Sequence, residues 1–543
     1  MCIRDSSYTS NFDWQRGGDA LREVAGEDIN TVQNANTHNL IVNMQMQGFY
    51  DLIGLKKRTS SQANQANSRS NPLRRDKAGN ASSQEKDKKP LKKTSKGFNT
   101  LVDILTMVKR INVNYSENNG KVLPGYTQSI GFIGTTRPTL GFVFGSQADV
   151  RFEAARNGFL TTFPEFNSQF LQNKTTNLTI NATAQPTQDL TIDLNADRRF
   201  TNSFQENFQV NELADGALEF ESLLGNDFGN FSISTLLIGT AFNRSDEFDS
   251  KTFEQFQDNR ITIANRLAAE RGIALGTAGD FPEGFGPTQQ NVLLPAFFSA
   301  YSGQNADRVN LDAFRQIPIP NWNIKYTGLL KLRGFKKKFK RFSLSHGYRS
   351  AYSINSIQTN LERQNTTIDS DTGDFLPENI INNVVLNDEF NPLIRVDFET
   401  KSSLSVLAEV RTGRTLSLSF DNNLLTEIND DTYTVGLGYR FKDVKFVTNI
   451  GGEKTRLKGD LNLKADLSFR DNITIIRNLD INTNQITQGQ NLWSIKFSAD
   501  YALSKNLNAL FFYDHSFSRF AVSTAFPQTT INTGFTLRYN FGN

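Results

Sequence analysis

Over much of the chain, apolar and polar residues alternate one for one. Tyr433, Val435, Leu437, Tyr439 and Phe441 are interleaved with Thr434, Gly436, Gly438 and Arg440. Leu461, Leu463, Ala465, Leu467 and Phe469 alternate with Asn462, Lys464, Asp466, Ser468 and Arg470. Trp493, Ile495, Phe497, Ala499 and Tyr501 alternate with Ser494, Lys496, Ser498 and Asp500. Successive side chains of a strand point to opposite sides, so this period sorts each set onto its own face. One face is apolar, with aromatic residues near strand ends; the other carries charges of both signs. Leu437, Tyr439, Leu463, Leu467, Ile495 and Phe497 are expected to point outward. Lys464, Asp466, Lys496 and Asp500 are expected to face inward, toward water or a polar plug.

The same pattern, read along the chain, predicts about twelve to sixteen antiparallel strands, mostly beyond residue 110. Patterning up to Leu55 is weak. Phe98 to Lys109 reads as a helix, with Leu101, Ile104, Leu105 and Val108 at helical spacing and Lys109 and Arg110 in the last turn. Ile111, Val113 and Tyr115 then switch to period two. Asn177 to Thr183 and Leu190 to Ala196 form a hairpin around Gln185-Pro186-Thr187-Gln188-Asp189, and Phe228 to Phe242 gives another strand. Residues 244–323 break the rhythm with a helix, Asp258 to Gly272, and then Gly- and Pro-rich sequence through Pro320. Strands resume with Ile324, Tyr326, Gly328, Leu330 and Leu332 opposite Lys325, Thr327, Lys331 and Arg333, followed by Phe342 to Ile354. After a loop from about Asn355 to Asn391 come Leu404–Val410, Leu416–Phe420, Tyr433–Phe441, Phe446–Ile450, Leu457–Phe469, Ile473–Ile481, Trp493–Leu503, Leu507–Phe517 and Phe535–Phe541.

Composition decides what such strands build. A soluble chain of 543 residues would divide into several domains, because a single core stops growing near about 250–300 residues; a membrane barrel adds strands around its circumference instead. A hydrophobic content of 37% and a mean hydropathy of -0.46 are too polar for a bundle of membrane helices and suit a barrel, where every second residue meets lipid. No run approaches the roughly 18 apolar residues a spanning helix needs, and Val292 to Phe298 is interrupted by Pro295. A soluble β-sandwich with its apolar faces turned inward alternates too, but its strands run to about 5–6 residues. Several here reach about 9–13, close to a tilted membrane strand. The expected fold is an all-β transmembrane antiparallel β-barrel segment, part of a very large barrel. Long extracellular loops and a few short helices lie outside the membrane, since lipid-exposed irregular backbone leaves its hydrogen bonds unmade.

The organisation expected is an N-terminal fragment over residues 1–97 and a C-terminal barrel wall over 98–543, with insertions at about 244–323 and 355–391. The basic stretch Lys56 to Lys96 reads as a disordered or solvated loop, with a patch for acidic lipid headgroups or a partner as the alternative. Met1-Cys2-Ile3-Arg4-Asp5-Ser6 has no apolar signal-peptide region and resembles translated adapter sequence at the end of a gene fragment, so the export signal is expected upstream. A net charge of +3 gives no pointer to nucleic acid.

Chemistry adds little. The one cysteine, Cys2, allows no disulfide within the chain, and His38, His346 and His515 are far apart. His346 reads as structural. Asp369-Ser370-Asp371-Thr372-Gly373-Asp374 begins like a calcium loop, but Gly373 and Ile380 stand where that pattern needs acidic residues. No catalytic, metal or cofactor site is expected, and the chain does not read as an enzyme. Gly534, Leu537, Tyr539 and Phe541 form a Gly-x-x-hydrophobic-x-aromatic-x-aromatic pattern. It resembles the terminal signal by which the outer-membrane assembly machinery recognises a last strand, although Gly542 and Asn543 follow the final aromatic.

From about Asn112 onward the chain carries, in this order, Val113-Asn114-Tyr115-Ser116-Glu117-Asn118-Asn119-Gly120 with Leu123-Pro124-Gly125-Tyr126, Phe144-Gly145-Ser146-Gln147, His346-Gly347-Tyr348-Arg349-Ser350, Phe390-Asn391-Pro392-Leu393-Ile394, Arg414-Thr415-Leu416-Ser417-Leu418-Ser419-Phe420, Thr434-Val435-Gly436-Leu437-Gly438-Tyr439-Arg440, Arg470-Asp471-Asn472 and Phe497-Ser498-Ala499-Asp500-Tyr501. In these segments it resembles the C-terminal part of the SprA/Sov family, the outer-membrane translocon of the type IX secretion system of Bacteroidota. The resemblance implies a single-chain barrel of exceptional size that conducts folded proteins, serving cell-surface secretion and gliding motility, with this chain supplying the last part of the wall. Implied partners are a plug protein, a small barrel of the PorV type, exported proteins with a C-terminal signal domain, and outer-membrane lipid. The other readings are a TonB-dependent nutrient transporter, whose N-terminal plug and energy-coupling box are not seen in this sequence, and a surface adhesin without transport.

Overall fold

The structure, a computed structural model, describes residues 2–53, 55, 102, 105–130, 134–277, 279–450, 453–503, 506–522, 525–539 and 541. Its strands are β1 (Cys2–Gln15), β2 (Asn30–Gln45), β3 (Val108–Tyr126), β4 (Phe170–Thr187), β5 (Leu190–Glu212), β6 (Leu218–Ser234), β7 (Asn321–Tyr326), β8 (Phe339–Thr359), β9 (Asn379–Ile381), β10 (Asn383–Thr400), β11 (Leu404–Ser419), β12 (Leu424–Ile450), β13 (Glu453–Asn478), β14 (Thr483–Ala502), β15 (Leu507–Phe520) and β16 (Gln528–Tyr539). They form one 16-stranded sheet in nearly sequential order, with every neighbouring pair antiparallel. The fold is all-β and antiparallel, as the alternation predicts. Among the described residues, β1 and β16 are free edges, paired only with β2 and β15.

One strand position is split. β6 descends beside β5 as far as Ile233, opposite Arg198, and β7 takes over the same lane at Asn321, opposite Asn195. On the other side β8 pairs first with β6, at Ser234↔Ala351, and then with β7, at Trp322↔Tyr348. Side chains bridge the break: Ser350 N donates to Asn321 Oδ1 at 2.7 Å, and Asp197 N donates to Ser234 Oγ at 3.1 Å. Between the two halves the chain leaves the sheet and folds into an insertion built on α1 (Lys251–Glu270) and α2 (Gln290–Ser302).

The two main cores lie between one face of the sheet and its insertions, with no second sheet among the described residues. In the larger core Phe256, Phe297 and Tyr301 of the helices pack with Tyr352, Leu386, Leu416 and Leu425 of the strands. In the smaller one Phe142 and Ala155, from the 127–169 connection, pack on Val32, Leu123, Phe170 and Phe208. This removes the β-sandwich alternative, which needs two sheets face to face.

Several boundaries differ from the sequence reading. The wall starts at β1 and β2, which the weak patterning before Leu55 did not show, so the strands begin well before residue 98. Of the helix expected over Phe98 to Lys109, Val102 and Leu105 are helical, but Val108, Lys109 and Arg110 already belong to β3. The basic stretch Lys56 to Lys96 lies outside the described residues. β6 ends at Ser234, and Thr235 to Phe242 leaves the sheet for the insertion. α1 starts at Lys251 rather than Asp258, because the Ser250 hydroxyl caps it by accepting from Phe253 N. The sequence through Pro320 hides a second helix, α2, with Pro295 inside it. β7 stops at Tyr326. The run that looked like strand, Gly328 to Arg333, turns as a 3-10 segment and a short helix, Arg333–Lys338, at the end of the sheet where Asp189 of the β4–β5 turn accepts from Thr327 N and pairs with Lys331. The loop expected at Asn355 to Asn391 shrinks to 360–378, because β8 runs on to Thr359 and the unexpected strands β9 and β10 begin at Asn379 and Asn383, with Asn391-Pro392 carried as a bulge inside β10. Leu404–Val410 and Leu416–Phe420 are one strand, β11. Tyr433–Phe441 joins Phe446–Ile450 in β12, and Leu457–Phe469 joins Ile473 in β13.

Candidate functional site

The merged strands explain how the two faces are made. Directly paired residues of neighbouring antiparallel strands project on the same side. One row therefore runs Val410, Tyr433, Phe469, Trp493, Phe517 across β11 to β15. Rows below it read Val406, Leu437, Ala465, Phe497, Tyr513 and Leu404, Tyr439, Leu463, Ala499, Phe511. All belong to one face, and much of it is bare: Leu437 is 48% exposed, Leu467 51% and Trp493 57%. The row containing Tyr433 is aromatic, with ring centroids 6.3 Å apart between Tyr433 and Phe469 and 4.5 Å between Phe469 and Trp493. At the other limit stand Tyr439 and Phe441, 4.5 Å apart, and Tyr539 and Phe541 at 4.8 Å. From Tyr433 to Phe441 the strand rises about 27 Å at about 3.4 Å per residue. At a tilt of about 40° that spans about 21 Å, near the about 25 Å apolar band between aromatic girdles of membrane barrels.

The band continues around the sheet through Ile394, Val396 and Phe398 of β10, Ile192 and Leu194 of β5, Ile180 and Ala182 of β4, Ile111 and Val113 of β3, and Leu40 and Val42 of β2. It does not follow a ladder row. The row of Tyr433 leads through Ile324 and Ile192 to Ala184, whereas the apolar run of β4 reaches up to Leu178. The band thus climbs obliquely across the strands, the relation expected when strands tilt to the normal of a flat slab.

Above the aromatic row the apolar-face positions turn polar and are then covered by the two insertions. Two buried ion pairs fix the larger one. Arg414 Nε lies 3.1 Å from Asp388 Oδ1 and its Nη1 donates to Thr240 O at 3.1 Å. Arg477 Nη2 lies 3.2 Å from Glu427 Oε2 and donates to Ser245 Oγ at 2.8 Å and Asp246 O at 2.9 Å. Sequence reasoning missed all four charges: Asp388 falls in the loop expected at 355–391, Arg414 and Glu427 fall between expected strands, Arg477 lies within one, and no periodicity marks a charge as buried.

The opposite face is mostly polar, with Leu407, Leu492, Leu510 and Phe512 among its few apolar members. Lys464, Asp466, Lys496 and Asp500 all lie on it, with Asp466 directly opposite Lys496 and Asn462 opposite Asp500. It carries a mesh of ion pairs, including Arg341–Asp397 at 2.9 Å, Arg395–Glu409 at 2.9 Å, Arg470–Asp430 and Arg440–Asp460. Its Gly347 lies under the β10 bulge, where a Cβ would meet Asn391 O at 2.8 Å. Of the terminal pattern, Leu537 and Tyr539 continue the apolar face of β16, while Gly534 lies opposite Phe512 on the polar face.

The acidic run at Asp369 caps turns. Asp369 Oδ1 accepts from Asp371 N at 2.8 Å, which holds its carboxyl below the usual range, and Asp374 Oδ1 accepts from Gly286 N at 2.6 Å while burial pushes its carboxyl up. His346 Nδ1 lies 2.6 Å from Leu393 O, a structural contact. Among the described residues no group of three or more His, Cys, Asp or Glu is placed to hold a metal ion, and no helix is long and apolar enough to cross a membrane.

No family model matches this chain, and no curated protein matches it. Among solved structures it is similar to the RagAB peptide transporter, at 8% identity and a TM-score of 0.27 over 97% of this chain and 49% of that one. The chain spans about half the length of that structure, and likeness at this level carries no argument about activity.

Proposed function

We propose that the chain is part of the wall of an outer-membrane β-barrel that conducts large cargo, its apolar face toward lipid and its polar face lining the passage. The observation that supports this is the exposed, aromatic-edged apolar band backed by an ion-paired polar face, with the two large insertions, 127–169 and 235–320, above the band. Both insertions leave the sheet on that side, as extracellular loops do, although 213–217, 420–423 and 479–482 there are short; below the band 188–189 and 401–403 are tight turns, while 46–107 and 327–338 are longer. The resemblance to the SprA/Sov family refines the reading to a protein-conducting subunit of type IX secretion. A plug protein, a PorV-type small barrel and cargo with a C-terminal signal domain would then be its partners.

The test uses lipid-borne quenchers. In a Trp14→Phe, Trp322→Phe background, Trp493 is the sole tryptophan. Its fluorescence in bilayers should be quenched by brominated lipid and spared by aqueous iodide. A second variant moving the tryptophan to the polar face, Trp493→Phe with Lys496→Trp, should show the reverse. Equal response of the two positions would overturn the reading. Conductance across a planar bilayer separates a conduit from an adhesin, and loss of signal-bearing cargo from the cell surface on depletion separates a translocon from a nutrient transporter.

A further inference from the structure

Where the larger insertion overhangs the sheet, a groove of about 420 Å³ opens on the apolar face. Its floor is Leu393, Val410 and Tyr433, the top of the exposed band. Its roof is the segment Ala241–Ser245 that has just left the split strand. Phe242, 62% exposed, stacks on Phe390 with centroids 5.0 Å apart and ring planes at 28°, so one aromatic face stands open at the groove mouth. Around that ring lie Arg244, Thr412, Asn429 and Asp431.

The lower half of this groove is continuous with the proposed lipid-facing band, and its upper half is polar. We propose that it holds one lipid of the outer leaflet, with an acyl chain along Val410 and Tyr433 and a sugar headgroup against Phe242; the proposal rests on the membrane reading. The charge pattern favours sugar over phosphate. Arg414 is committed to Asp388 and Thr240, and Arg244 is paired with Asp246 at 2.8 Å. Asp431 stands directly opposite Asp471, which would repel a phosphate. A carboxylate, a side-chain amide, a hydroxyl and a guanidinium beside an open aromatic face offer donors and acceptors to neutral hydroxyls and an apolar platform to a sugar ring. The continuous apolar floor selects a lipid over a free saccharide.

The experiment reconstitutes the full chain in bilayers holding equal parts glycosyl diacylglycerol, phosphatidylglycerol and phosphatidylethanolamine. Lipids retained after transfer to detergent are counted by native mass spectrometry. One glycolipid per chain should be retained, enriched about tenfold over the other two, a difference of about 1.4 kcal/mol. Phe242→Ala and Asp431→Ala should each abolish the enrichment without changing insertion, and an excess of the free headgroup sugar should not displace the lipid. Enrichment of phosphatidylglycerol, no enrichment at all, enrichment that survives both substitutions, or displacement by free sugar would each overturn the lipid site while leaving the membrane reading intact. A chain that enters no bilayer would sink both.

Discussion

Each face of the sheet sets its own rule for what a single residue can be. In the proposed membrane wall Leu437 sits mid-band, so Leu437→Arg would place a charge in hydrocarbon and should cost about 2–4 kcal/mol of membrane stability. Lys464→Glu on the polar face should stay within about 0.5 kcal/mol. Urea unfolding of the two variants from bilayers checks this, and equal costs would show the faces to be misassigned. That contrast was legible from alternation alone. The buried pairs were not. Arg414 and Arg477 occupy apolar-face positions, where alternation calls for a hydrophobe, and their sense emerges only once the insertion covers them. Removing one partner of such a pair leaves a bare buried charge. Glu427→Gln should therefore weaken docking of the insertion by about 3–5 kcal/mol, while Glu427→Leu with Arg477→Met restores much of it. The readout is hydrogen exchange of α1 amides; unchanged protection in Glu427→Gln would refute the anchoring role.

At the scale of elements, the alternation located β3, β4, β5, β7, β8 and the strands from β11 onward, missed β1, β2 and β10, and misjudged where strands end. Arg470-Asp471-Asn472 and Thr412-Gly413-Arg414-Thr415 look like turns. In strands of this length, however, polarity marks the edge of the apolar band while the ladder runs on, so alternation alone divides β11 and β13 each in two. The split lane of β6 and β7 was equally hidden, because its pairing partners are far away in sequence. Asn321 is its hinge. The side-chain oxygen of Asn321 accepts from Ser350 N where the ladder is interrupted. Asn321→Leu leaves that buried N–H without a partner, at a cost of about 1–3 kcal/mol. Faster exchange of the Ser350 amide, with β13 unaffected, is the expected signature; an unchanged Ser350 amide would mean the lane is held elsewhere.

For the molecule as a whole, the free edges are the outstanding physical problem. In hydrocarbon every backbone donor and acceptor needs a partner, so neither β1 nor β16 can remain bare in a membrane. Both must pair, with each other or with further strands. β16 is suited to that task. Phe512 lies over Gly534, where a Cβ would meet its ring at 2.6 Å, and this fit resists a register slip that would turn Leu537 and Tyr539 to the polar side. Truncation after Thr533 removes the half of β16 that pairs with Leu507 to Phe512, exposing the ladder of β15 inside the apolar band. The truncated protein should be made but fail to insert, accumulating in the periplasm or being degraded. The double change Tyr539→Ser, Phe541→Ser keeps the backbone edge and removes only apolar side chains, so it should slow insertion rather than abolish it. Outer-membrane yield measured over time distinguishes the three forms. Wild-type yield from the truncated chain would show that β16 contributes neither edge nor register to assembly, and that the wall closes through β15 instead.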